Sequence, residues 1–128
     1  MNTKLLMRLS ALFMAGLGVG ASFLPQEIDT HLGGRGDFHA VLILQIAGAL
    51  YLSFAILNWM AKDVLIGGIY SRPLALGNFF HFAVVSIILL KALAAGSRAT
   101  EITAAAAIYF LFALWFGRVL FTSPSPST

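Results

Sequence analysis

NWMAKDVLIGGIYSRPLALGNFFH, Asn58 to His81, decides how this chain is read. It carries the end of one apolar segment, a Gly67-Gly68 turn and the start of the next. Gly-Gly is a loop signal, and a proline such as Pro73 is at home in a first helical turn, where its missing N–H costs nothing. The stretch therefore predicts two antiparallel helices joined by a short loop. Ile66, Ile69 and Tyr70 suit a loop lying against a membrane surface.

Outward from this hairpin the chain is almost continuous hydrocarbon. It has 128 residues, 59% hydrophobic and 10% charged, against about 25% charged in soluble proteins. Its apolar residues fall into blocks of about 20, the length that crosses ~30 Å of hydrocarbon as helix. Barrel strands alternate apolar with polar, and these blocks do not. The expectation is an all-α integral membrane protein, an up-down four-helix bundle forming one domain over residues 1–121. Spans are expected at about 5–24, 38–60, 73–93 and 102–121, with a disordered Ser/Pro tail at 122–128. The first segment follows Lys4 and Arg8, so a cleaved signal peptide is the alternative to a retained span.

Several functions are disfavoured by composition. The net charge of +3 comes from scattered basic residues, with no stripe to track nucleic acid. Cysteine is absent, which removes thiol catalysis and thiolate metal sites. The acids Glu27, Asp29, Asp37, Asp63 and Glu101 lie in loops or at segment ends, whereas a proton-coupled exporter usually holds a carboxylate within a span. No HExxH or GxSxG motif is present. No metal is predicted: Glu27, Asp29, His31, Asp37 and His39 lack ligand spacing and read as a solvated loop. His39 and His81 would stand roughly 20 Å apart, too far to share a haem. Ser86 reads as a hydroxyl bonded back to its own helix.

Small and polar residues mark expected packing faces. Gly16 and Gly20 form a GxxxG pair and Ala11 and Ala15 a second small pair, which allow close helix approach in lipid. In the second segment Leu44, Gly48, Tyr51, Ala55, Asn58 and Lys62 follow 4-3-4-3-4 spacing, one helix face. In the third, Gly77, His81, Val84, Ile88 and Lys91 repeat the pattern, with Asn78 beside it. These two seams are expected to meet. His81 would then lie about 12 Å in from Pro73, level with Tyr51.

The candidate site is a graded funnel of Tyr51, Asn58, Lys62, Arg72, Asn78 and His81. Its cations stand at the mouth, its amides partway in, and its phenol and imidazole at depth. Such a face either fixes helix register by hydrogen bonding or binds a lipid headgroup, a quinone-like amphiphile or another small polar molecule. No cofactor is required, and lipid or quinone is the ligand class it would take.

Basic residues give the orientation. Lys4, Arg8, Lys62, Arg72 and Arg118 share one side of a four-span chain, against Arg35, Lys91 and Arg98 on the other. The positive-inside rule then puts both termini in the cytoplasm.

The phrases ALYLSFAILNWMAK (49–62) and IGGIYSRPLALGNFFHF (66–82) resemble text from small bacterial membrane families, and the whole pattern of spans is similar to DoxX-like four-helix proteins. The resemblance implies a bacterial inner-membrane location. It brings no agreed activity, although some DoxX-like members are accessory subunits of redox systems. The reading is a non-catalytic accessory or scaffold subunit, or a binder of a lipid-like molecule. The alternatives are a small oligomeric transporter or channel, and a quinone-associated redox component. Expected partners are membrane lipids and a larger membrane complex or further copies of the chain.

Overall fold

A computed structural model of the chain describes residues 2–64 and 71–122. The described residues contain five α-helices, a 3-10 turn at Ala61–Asp63 and no strand. The helices are α1 (Thr3–Phe23), α2 (Pro25–His31), α3 (Phe38–Met60), α4 (Arg72–Ala94) and α5 (Thr100–Phe121). Four of them, all but α2, are long and apolar enough to cross a membrane. The predicted spans agree with these bounds to within two residues. The Gly67-Gly68 turn, the surface loop of Ile66, Ile69 and Tyr70, and the tail beyond Thr122 lie outside the described residues.

Local chemistry sets the helix ends. Asn2 Oδ1 accepts from the Leu5 N–H at 2.9 Å, closing the first turn of α1. Pro25 opens α2, and Pro73 occupies the first turn of α4 as the sequence predicts. Asp37 caps α3, its carboxylate accepting from the N–H groups of His39 and Ala40 at 3.2 and 3.4 Å. Helix α4 ends in a Schellman motif: Gly96, at φ +100°, donates to the Leu93 carbonyl and Ser97 to that of Ala92. Helix α2 ends the same way around Gly33, at φ +89°. The Asp29 carboxylate then folds over the glycine run and accepts from the Gly36 N–H at 2.7 Å. Asp29 and Asp37 thus shape the loop, and among the described residues no group of three His, Cys, Asp or Glu side chains could hold a metal ion.

The chain divides into two compact units. One is Met7–Asp63; the other joins the first residues of α1 to the chain beyond Asp63. In the first unit α1 and α3 run antiparallel at close range. A Cβ on Gly18 would lie 2.8 Å from the Leu52 backbone N and 3.0 Å from the Gly48 carbonyl. A Cβ on Gly48 would collide with the Ser22 hydroxyl and lie 2.7 Å from the Ser22 backbone N. The α3 seam predicted from Gly48, Ala55 and Asn58 is buried, but the partner these contacts identify is α1. The α1 residues responsible also differ from prediction. Gly16 has nothing within 4 Å of its Cβ position, and Gly20 reaches only the tip of Ile28. Gly18 makes the close approach because it shares a ridge with Ser10, Met14 and Ser22, at four-residue spacing.

In the second unit α4 and α5 form an antiparallel pair packed by aromatic rings. Phe79 meets Phe121, and Phe82 lies against Tyr109, Phe112 and Phe116, with the Phe82 and Phe116 planes 10° from parallel. Gly117 makes room, since a Cβ there would come within 3.1 Å of the Phe79 ring. The buried face of α4 is Ala75, Asn78, Phe82 and Ser86. The predicted seam of Gly77, His81, Val84, Ile88 and Lys91 is rotated from this, and Val84 and Ile88 are 48% and 58% exposed. Phe82 decides the phase: its large ring claims the interior of this unit, and the smaller Asn78 and Ser86 follow it at helical spacing. Ser86 Oγ is buried and has no hydrogen-bond partner among the described residues, so the expected bond to its own helix is not made.

Candidate functional site

The six predicted site residues divide between the units. Tyr51, Asn58 and Lys62 belong to the first, and Arg72, Asn78 and His81 to the second. Each group is organised by its own helical neighbours.

Asn58 is fully buried on α3. Its side-chain amide donates to Ser10 Oγ at 3.1 Å and points at Met14 Sδ, 3.8 Å away. Ser10 in turn donates to the Met7 carbonyl at 3.1 Å. The result is a short chain of polar atoms inside an apolar interface. Asn58 alone was legible as polar and inward-facing. Ser10 and Met14 went unread, although their common ridge with Gly18 and Ser22 was a usable signal. Tyr51, also on α3, is half-buried.

Lys62 stands one turn beyond Asn58, in the 3-10 turn Ala61–Asp63. Its ammonium lies 4.8 Å from the centre of the Trp59 ring and donates to the Trp59 carbonyl at 3.2 Å. The Asp63 carboxylate is 3.7 Å away. Aromatic, cation and helix end are therefore gathered at one point, the arrangement expected of an interfacial anchor.

In the second unit Arg72 is the exposed first residue of α4. Asn78 is buried and donates to the Leu74 carbonyl of its own helix at 3.0 Å. His81 is half-buried, with ring centroids 5.2 Å from Phe82 and 5.8 Å from Tyr109. Tyr109 is the unforeseen neighbour. Nothing in the sequence around it marks it out, because it sits on α5 among other aromatic and alanine residues.

Chemically, these groups form hydrogen bonds and ring contacts between or along apolar helices. Compared with known proteins, the chain matches no family model, no curated protein and no solved structure.

Proposed function

We propose that this chain is a multi-pass protein of a bacterial cytoplasmic membrane that performs no chemistry of its own and serves as a lipid-binding accessory or scaffold subunit of a larger assembly. The observation that carries this reading is the distribution of side chains around the four long helices. Leu12, Ile43, Leu50, Ile56, Ile87, Ile88, Leu111 and Leu114 point outward, while Ser10, Asn58, Asn78 and Ser86 are buried. Only 17% to 33% of each apolar window is buried within the chain. Water would penalise such a surface heavily, and hydrocarbon does not. Ser10, Asn58 and Asn78 find hydrogen-bond partners inside their own units, as residues that fix helix packing in lipid do.

The likeness to DoxX-like proteins supports an accessory role, and the positive-inside distribution supports cytoplasmic termini. Purification in a mild detergent tests the reading. An accessory subunit brings a defined set of larger membrane proteins with it in fixed ratio. A chain that purifies alone, as a single species, contradicts it.

A quinone-associated role is favoured by one observation: the half-buried His81 lies among the rings of Phe82 and Tyr109. A redox component would retain an extractable chromophore with ultraviolet absorbance after gentle purification.

A further inference from the structure

The α1–α3 pair carries a groove on one side, with a volume of about 290 Å³. Ala11, Ala15 and Ala55 form its floor, and Leu52, Ile56 and Trp59 are among its walls. The three alanines leave the space, since any larger side chain at those positions would fill it. From Leu52 to Met60 the lining spans about 12 Å of α3. The side chains offer almost nothing but hydrocarbon, so the groove suits an aliphatic chain.

One end of the groove is charged. Trp59 is a wall of the groove and also the ring on which Lys62 rests. On α1 the exposed Arg8 precedes Ala11 and Leu12 by three and four residues, so it continues the groove face one turn further out. Because Ser10 pairs with Asn58 and the helices are antiparallel, Arg8 and Lys62 lie at the same end. The exposed Asp63 carboxylate, 3.7 Å from Lys62, offsets only part of this charge.

We infer that the α1–α3 groove is a binding site for a phospholipid with an anionic headgroup. One acyl chain lies over Ala11, Ala15 and Ala55, and the phosphodiester sits between Arg8 and Lys62. Trp59 connects the two parts, packing on the chain with its ring edge and holding the lysine over its face. Charge favours this occupant over a second copy of the chain. Copies in one membrane share an orientation, so a second copy would bring its own Arg8 and Lys62 to the same level. The inference rests on the proposed membrane location and adds the ligand class.

The test uses the full chain in detergent micelles and native mass spectrometry. Phosphatidylglycerol and phosphatidylcholine with identical acyl chains are titrated separately. Phosphatidylglycerol should bind more tightly, and Arg8→Gln and Lys62→Gln should each weaken it about fivefold while weakening phosphatidylcholine, whose choline offsets its phosphate charge, distinctly less. Ala15→Leu should reduce retention of both lipids by filling the floor. Lys91→Gln, at the end of α4, should change neither. Equal binding of the two lipids would mean ordinary boundary lipid and would overturn the site. A preference that survives the Arg8→Gln/Lys62→Gln double variant, or that Lys91→Gln removes equally, would also overturn it, as would a lipid-free dimer. A chain that stays soluble without detergent would instead overturn the membrane reading beneath it.

Discussion

The Asn58 amide donates to Ser10 Oγ at 3.1 Å, and both side chains are fully buried between α1 and α3. This is a polar contact linking two long apolar helices. Bonds of this kind in lipid are worth about 0.6–1.7 kcal/mol. Asn58→Leu and Ser10→Ala should therefore each destabilise the α1–α3 pair by about 1 kcal/mol. A double-mutant cycle, read by thermal unfolding in bicelles, should return a coupling of similar size. Strict additivity of the two losses would show that the bond contributes nothing.

Gly18 and Gly48 should be the sensitive glycines. Alanine at either position puts a Cβ within 3 Å of backbone on the facing helix, and backbone cannot step aside. A cost of about 1–3 kcal/mol is expected for each. Gly16→Ala meets open space and should be neutral or slightly stabilising, by up to ~1 kcal/mol. Unfolding measurements that rank Gly16→Ala with Gly48→Ala would contradict the packing described.

Phe82 anchors the α4–α5 pair through Tyr109, Phe112 and Phe116. Phe82→Ala leaves a void that lipid cannot reach, and a loss of about 3 kcal/mol is expected. Phe80→Ala, on a residue 59% exposed, should change stability by no more than ~0.5 kcal/mol. Comparable losses for the two would mean that Phe82 is not enclosed.

Ser86 offers the opposite sign. Its hydroxyl is buried without a hydrogen-bond partner among the described residues. Ser86→Ala removes that unpaired group and should stabilise the chain by about 1 kcal/mol. Destabilisation in the same unfolding assay would show that the hydroxyl is used.

Much of this was legible in the sequence, and the physical reasons differ by feature. Helix bounds were readable because the length of an apolar segment that can cross a bilayer is set by its thickness, and Pro73 marks a helix start by its own chemistry. The inward face of α3 was readable because Gly48, Ala55 and Asn58 differ in kind from their exposed apolar neighbours. Its partner was not. Sequence adjacency pointed to the third segment, and the close approach of α1 through Gly18 and Gly48 was not foreseen. The phase of α4 was missed because Phe82 is as apolar as its outward neighbours. In hydrocarbon, polarity alone does not distinguish a packed ring from an exposed one. The neighbours of Asn58 and His81 were missed for a related reason: Ser10 becomes a hydrogen-bond partner, and Tyr109 a ring neighbour, only once the helices are paired.

The most direct test of the account is the side of the membrane on which each loop lies. The chain has no cysteine, so single cysteines can be introduced without background. Asn2→Cys and Asp63→Cys should react with a membrane-impermeant maleimide only after the cells are permeabilised. Arg35→Cys and Ser97→Cys should react in intact cells. Labelling of all four positions in intact cells, or recovery of the chain in the soluble fraction, would contradict a four-span protein with cytoplasmic termini.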